Sequence, residues 1–99
     1  MEHLPEVINN QEESRFEIHI GEYMAYQEYI QTKTEVIITH TEVPESLEGK
    51  GLGSLLAKNA LTYTEENGLK IRPLCPFMAA YMRKHYDTYK HLLVPAFDL

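Results

Sequence analysis

The chain has 99 residues, of which 43% are hydrophobic and 24% charged, with a formal net charge of −6 and a pI near 5.3. This length predicts a single domain over residues 1–99, and the composition is that of a globular protein rather than a disordered one. The acidic balance argues against DNA or RNA as a partner, and no apolar run approaches the roughly 20 residues of a membrane helix.

The first half of the chain has the pattern of antiparallel strands. Arg15–Ile20 alternates between apolar and polar residues, and Gly21 and Glu22 predict a hairpin turn after it. Tyr23–Gln31 is the next strand. Thr34–Val43 is rich in β-branched residues and partly apolar on both faces, which predicts a strand inside the sheet. The short links between these three strands indicate antiparallel neighbours.

The second half changes to a helical period. A single helical stripe is formed by Leu52, Leu55, Leu56, Ala60 and Tyr63. Asn67 and Gly68 predict the end of this helix, and Leu69–Cys75 predicts a short strand that tolerates Pro73 at its end or near an edge. Pro76 begins a second helix that reaches about His85. The order predicts an α/β (α+β) fold with a mixed sheet, in which antiparallel strands precede a strand–helix–strand–helix unit whose two strands are parallel.

A glycine-rich segment lies where the central strand gives way to the first helix. Its glycines occupy alternate positions at Gly49, Gly51 and Gly53. Glycine lets the backbone approach a ligand closely, and the unpaired N–H groups of the first helical turn attract phosphate. Lys50 adds a positive charge. An ordinary loop at a helix start is the alternative that the spacing leaves open, and the segment fits neither a Walker A loop nor a dinucleotide fingerprint.

The residues Glu48-Gly49-Lys50-Gly51-Leu52-Gly53 resemble the acyl-coenzyme A loop of the GNAT superfamily of N-acetyltransferases, Gln/Arg-x-x-Gly-x-Gly/Ala. Glu48 departs from this pattern, since the superfamily has Gln or Arg there. The segment His40–Pro44 and the spaced set Pro73, Cys75, Phe77, Tyr81, His85 and Tyr89 resemble a subgroup of very small, single-domain members. The similarity extends over nearly the whole chain.

The resemblance implies acetyl-CoA as acyl donor. The resemblance places Gly49, Lys50, Gly51, Leu52, Gly53 and Ser54 at the pyrophosphate, and it makes Glu48 a further coenzyme A-binding position. Backbone groups near Glu42 and Val43 would bind the pantetheine arm in a gap where the central strand separates from Leu69–Cys75. Full-size members carry helices between their first two strands, and this chain has only a few residues there. The resemblance therefore implies an open acceptor side, which suits a large or flexible acceptor, or a dimer that covers the gap. The sequence leaves a monomer and a homodimer both open.

Acetyl transfer requires that the acceptor amine lose a proton and that the leaving thiolate gain one. Glu42, near the end of the central strand, is a candidate base acting through a water, and His40 is a second candidate on the same strand face. Tyr81 lies roughly where the resemblance places the tyrosine that protonates the coenzyme A sulfur. Each has a structural alternative: solvation of the surface for Glu42, a hydrogen-bonded role for His40, and packing beside His85 and Tyr89 for Tyr81.

Cys75 is the one cysteine in the chain. Because it precedes Pro76, we expect it at the N-cap of the second helix, where the helix dipole favours a thiolate. It is either an acyl acceptor or another group in the substrate site, or an inert buried thiol. Because a lone cysteine forms no internal disulfide and the N-terminal segment lacks a signal peptide, we expect a cytoplasmic protein. The histidines do not have the spacing of metal ligands, so we expect no bound metal.

These observations predict a small GNAT-like domain that binds acetyl-CoA and transfers the acetyl group to an amine of a small molecule or a protein. One alternative is a coenzyme A-binding module with degenerate or no catalytic activity. Another is an interaction protein whose glycine loop binds nothing. A thermal shift with acetyl-CoA distinguishes the last from the first two.

Overall fold

The computed structural model describes residues 5–99 and contains a mixed sheet of five strands in the order β1–β2–β3–β4–β5. The elements are β1 Ile8–Asn10, β2 Arg15–Ile20, β3 Tyr23–Gln31, β4 Glu35–Glu42, α1 Leu52–Glu66, β5 Lys70–Pro73, α2 Pro76–Lys84 and α3 Tyr86–Tyr89, with 3₁₀ turns at Glu45–Leu47 and Lys90–Leu92. We expected no signal peptide in the N-terminal segment, and residues 1–4 of that segment lie outside the described range. Within it, no helix is both long and apolar enough to cross a membrane.

The predicted antiparallel strands are confirmed, and one more is added. β2 pairs with β3 through a turn in which Gly21 has φ +60°, and β3 pairs antiparallel with β4. β1, which was not predicted, pairs antiparallel with the outer edge of β2. These three residues are too few to show an alternation of apolar and polar side chains. Their extended conformation depends on pairing with β2. The first two predicted strands, β2 and β3, are joined only by the turn at Gly21 and Glu22, which confirms the short link expected there, and residues 11–14 connect β1 to β2 without a helix.

The predicted strand–helix–strand crossover is also confirmed. β4 and β5 are parallel, with register from Glu35↔Lys70 to Ile38↔Pro73. α1 ends at Asn67 as its C-cap, and Gly68 follows with φ +66°. β5 is shorter than predicted, because the N–H groups of the two residues after Pro73 both donate to the carbonyl of Ile38.

A β-bulge in β4 controls which residues face the helices. Glu28 pairs with His40 whereas Tyr29 pairs with Ile38, so Thr39 is an extra residue in β4. A bulge of this kind reverses the alternation of side chains beyond it. Ile38 therefore lies in the core beneath the helices, while His40 lies on the other face of the sheet, which no helix of the described residues covers.

That uncovered face carries a buried carboxylate. Glu17 on β2 is 4% exposed and is held by Asn10 Nδ2 at 2.9 Å, by His19 Nε2 at 2.8 Å and by an ion pair with Arg15. Burial by itself raises the pKa of Glu17, but the hydrogen bonds from Arg15, His19 and Asn10 outweigh it and lower the pKa to about 2. Glu17 is therefore ionised throughout the physiological pH range.

Candidate functional site

The loop between β4 and α1 is shaped by two glycines with left-handed backbone. Gly49 has φ +80° and Gly51 has φ +75°, a region that side chains with a Cβ rarely adopt. A Cβ at either position would meet no atom within 4 Å, so conformation and not space requires glycine there. Gly51 is the N-cap of α1 and supplies no side chain to the N–H groups that follow it.

Those N–H groups belong to Leu52, Gly53 and Ser54, the first turn of α1. In residues 5–99, no hydrogen bond occupies them, and the first turn holds no acidic side chain that would compete for them. They adjoin a cleft of about 230 Å³ lined by Val43, Leu47, Glu48, Gly49, Gly51, Leu52, Gly53, Ser54 and Phe77. Apart from Lys50, which does not line the cleft, the predicted loop residues therefore lie together around one concave site, at a helix start that favours an anion.

Gly53 has a packing reason that the sequence did not reveal. A Cβ on Gly53 would lie 2.6 Å from Cζ of Phe77, which is closer than real atoms approach. The absence of a side chain thus lets the first turn of α2 pack against the first turn of α1. Phe77 shares the spacing of Cys75, Tyr81 and His85 but was not among the predicted site residues, because its partner Gly53 lies 24 positions earlier in the chain.

A double-mutant cycle tests this contact. Alanine in a helix is favoured over glycine by about 1 kcal/mol. In a Phe77→Ala background we expect Gly53→Ala to raise the free energy of unfolding by that amount. In the presence of the Phe77 ring we expect the gain to be lost to the clash. Urea unfolding of the four proteins measures the coupling, and an equal effect of Gly53→Ala in both backgrounds would contradict it.

A second group of polar residues, the gap cluster (Gln27, Thr41 and Cys75), lies where β4 and β5 separate. Pairing of these strands stops at Ile38, while β4 continues. Across the gap, Thr41 Oγ1 lies 3.3 Å from Cys75 Sγ, and Gln27 Nε2 donates to Thr41 Oγ1 at 3.1 Å. The strand separation implied by the resemblance is therefore present in the fold, and three polar side chains connect its two sides.

Cys75 occupies the N-cap of α2, as predicted, and its sulfur accepts the N–H of Met78 at 3.5 Å. It is only 3% exposed. The Thr41 hydroxyl accepts the amide N–H of Gln27 and shares a hydrogen bond with the Cys75 sulfur, in which either the hydroxyl or the thiol donates. Gln27 is fully buried, and its Oε1 has no hydrogen-bond partner in the described part of the chain.

Tyr81 lies elsewhere, in a second cleft. This cleft measures about 220 Å³ and is lined by Ser54, Phe77, Ala80, Tyr81 and Lys84. The ring of Tyr81 is 4.4 Å from that of His85 and 6.2 Å from that of Tyr89, so the predicted cluster forms although α2 ends at Lys84 and a new short helix follows. Burial, and then the nearby Tyr89, raise the pKa of Tyr81, which keeps its hydroxyl protonated at neutral pH.

His40 and Glu42 lie together on the uncovered sheet face. His40 Nε2 is 3.7 Å from Glu42 Oε2, and their side chains are 50% and 55% exposed. The ring of Tyr26 is 6.0 Å from that of His40. The four predicted catalytic residues therefore occupy three places: the gap cluster, the second cleft and the uncovered face. No group of three or more metal-ligating side chains is present among residues 5–99.

Antiparallel strands followed by a parallel β–α–β unit, with a glycine loop at the helix start, define a GNAT-like fold, and comparison with known proteins agrees. A family model described as GCN5-related N-acetyl-transferase matches residues 15–92. The NMR solution structure of a "GCN5-like putative N-acetyltransferase" from Staphylococcus aureus is similar, with a TM-score of 0.65 and 31% sequence identity over 90% of this chain and 87% of that one. The chain belongs to the GCN5-related N-acetyltransferase family.

Curated relatives match a smaller part. Protein NATD1 of Xenopus tropicalis is 36% identical over 58 residues, which are 59% of this chain and 52% of that protein. Protein NATD1 of Homo sapiens is 36% identical over 53 residues, which are 54% of this chain and 47% of that protein. The match thus spans about half the length of these relatives.

Proposed function

We propose that this protein binds acetyl-CoA and transfers the acetyl group to a primary amine of a small molecule or a protein. Membership of the family supports acetyl transfer in general. The observation that carries the proposal is the loop of residues 49–54, where two left-handed glycines lead into a helix whose first N–H groups are unoccupied beside a cleft. Such a helix start suits the pyrophosphate of coenzyme A.

The remaining parts of the donor follow from this placement. The left-handed Gly49 and Gly51 would shape the backbone around the pyrophosphate, and Lys50 lies between them in the loop and adds positive charge without lining the cleft. The pantetheine arm would then run past Val43 and the backbone of Glu42 into the gap between β4 and β5. The gap cluster lies at the far side of that path, so the thioester would come close to Cys75.

In this proposal, the residues that act on the acyl group and those that act on the amine lie on opposite faces of the sheet. Cys75, at a helix N-terminus with hydrogen bonds to its sulfur, is proposed to act on the acyl group, as acceptor or as a group that positions it. His40 and Glu42 are exposed, and we propose that they meet the amine and take its proton through a water. The amine nitrogen would attack the thioester carbon, the carbon–sulfur bond would break, and coenzyme A would leave as a thiolate that takes its proton from solvent. The place of Tyr81 in the second cleft favours contact with another part of coenzyme A.

Substitutions of Gly51 test the proposal. Asp and Asn both tolerate a left-handed backbone and have nearly the same shape, but Asp adds a negative charge where pyrophosphate would lie. We expect Gly51→Asp to weaken acetyl-CoA binding at least tenfold, about 1.4 kcal/mol, and Gly51→Asn to weaken it less. Calorimetric titration measures both affinities, with circular dichroism as a check on folding.

Equal affinities of the Asp and Asn variants would contradict a pyrophosphate at this loop. If the wild-type protein bound acetyl-CoA tightly but transferred acetyl to no member of an amine library, the result would favour the alternative, a coenzyme A-binding module without catalytic activity. Mass spectrometry of the protein incubated with acetyl-CoA and the library detects transfer directly.

A further inference from the structure

Gln27 is a polar side chain that is completely buried in the sheet. In the register of the strands it lies between Phe16 on β2, a core residue, and Thr41 on β4. An apolar side chain of similar size would fill this place without burying a polar group. Gln27 instead leaves its Oε1 without a hydrogen-bond partner among residues 5–99, and an unpaired buried acceptor lowers stability. Packing therefore does not explain the amide at this position.

The two contacts of the amide nitrogen explain it better. Gln27 Nε2 donates to Thr41 Oγ1 at 3.1 Å and to Met78 Sδ at 3.8 Å. Both of these residues contact the sulfur of Cys75: Thr41 Oγ1 lies 3.3 Å from it, and the backbone N–H of Met78 donates to it at 3.5 Å. A flipped amide would turn its oxygen toward Met78 Sδ, which is itself an acceptor. The two N–H contacts thus fix the orientation of the amide and connect it to Cys75 by two routes.

We propose that Gln27 is a positioning residue that directs the hydroxyl hydrogen of Thr41 toward the sulfur of Cys75. This inference rests on the proposed function, in which Cys75 acts on the acyl group. A hydroxyl group that accepts a hydrogen bond becomes a stronger donor, because hydrogen bonds in a chain polarise one another. The N–H of Gln27 therefore favours the arrangement in which the Thr41 hydroxyl donates and the sulfur accepts. Together with the N–H of Met78, this hydrogen bond stabilises negative charge on the sulfur.

Gln27→Leu removes the amide and keeps a buried side chain of similar size. We expect the rate of acetyl transfer to fall about tenfold, the factor that one hydrogen bond to a charged atom is worth. The affinity for acetyl-CoA should stay unchanged, since Gln27 lines neither cleft. The urea midpoint of unfolding should not fall, because the unpaired Oε1 is removed with the amide. A lower midpoint with an unchanged transfer rate would show a purely structural residue and overturn the inference.

A double-mutant cycle with Thr41→Val tests the route of the effect. If Gln27 acts through the Thr41 hydroxyl, Gln27→Leu should cause no further loss of rate in the Thr41→Val background. Equal losses in both backgrounds would overturn the inference. Thr64→Val is the matched control, because Thr64 is as buried as Gln27 and its hydroxyl donates to the carbonyl of Ala60 at 2.7 Å, within α1. We expect this control to lower the urea midpoint and leave the transfer rate unchanged.

The infrared S–H stretch provides a readout that does not depend on transfer. Cys75 is the one cysteine in the chain, so the band is assigned to it without ambiguity. In Gln27→Leu we expect the thiol to become the donor to Thr41 Oγ1, which lowers the frequency of the S–H band or raises its intensity relative to the wild-type protein. An identical band in the two proteins would overturn the inference. If the wild-type protein transfers acetyl to no amine, the proposed function fails, and the band comparison still decides the direction of the hydrogen bond.

Discussion

Cys75→Ala is expected to lower the rate of acetyl transfer by about a hundredfold, the scale on which a positioned side chain contributes to proton or acyl transfer. Its effect on the affinity for acetyl-CoA should be much smaller, since the glycine loop lies at the start of the other helix. The reason is the position of the sulfur, which faces Thr41 across the gap between β4 and β5 and accepts the N–H of Met78. Steady-state rates and calorimetric affinities of the same preparations separate the two effects.

Cys75→Ser is the matched control, because its hydroxyl keeps an acceptor at the N-cap of α2 and preserves the start of the helix. An inert core thiol predicts full transfer rates in both variants, which would remove Cys75 from the site. Timed alkylation with iodoacetamide gives an independent measurement. We expect coenzyme A to slow the modification by filling the space in front of the sulfur; a thiol that stays unmodified until the protein unfolds would contradict this placement.

Glu17→Gln is expected to lower the free energy of unfolding at pH 7 by about 2 kcal/mol, since hydrogen bonds to a buried charge are worth about 1.5–3 kcal/mol. It should also flatten the acid dependence of stability. The pKa of Glu17 is about 2 in the folded protein, below its ordinary value of 4.5. The unfolded chain therefore binds more protons between these pH values, and the contribution of Glu17 is complete above about pH 4.5 and is lost as the pH falls toward 2.

Urea unfolding of both proteins at pH 7, 4.5 and 3 measures this difference. Glu28→Gln is the control, because Glu28 lies on the same sheet face and is exposed. We expect it to change the free energy of unfolding by less than about 0.5 kcal/mol at pH 7. If the stabilities of wild-type protein and Glu17→Gln fell in parallel with pH, the ionised Glu17 cluster would not contribute in this way.

The sequence by itself determined those secondary-structure elements that depend only on residues close together in the chain. The period of Arg15–Ile20, the β-branched strand before the glycine loop and the stripe of α1 are local patterns, and each appears where it was predicted. Pro76 placed Cys75 at the N-cap of α2, and Gly68 marked the end of α1. The glycine loop could be predicted in the same way, because the glycines that adopt positive φ directly precede the first residues of α1 in the sequence.

Only the tertiary structure decided which side chains meet. The extra residue Thr39 reverses the alternation of β4, and this bulge appears only when β4 is paired with β3. It is why Thr41 faces Cys75 while His40 and Glu42 lie on the uncovered face, although all three are close in sequence.

The remaining site features are contacts between distant parts of the chain. Gln27 reaches Thr41 from another strand, Phe77 lies against Gly53 from another helix, and Glu17 is buried by Asn10 on a strand that the sequence did not predict. A polar residue in an alternating strand indicates a solvent-facing side, and nothing in the local pattern shows that a neighbouring strand will bury it. Periodicity reports the conformation of a segment, whereas the partner of each side chain depends on register and packing between segments, which the folded chain alone establishes.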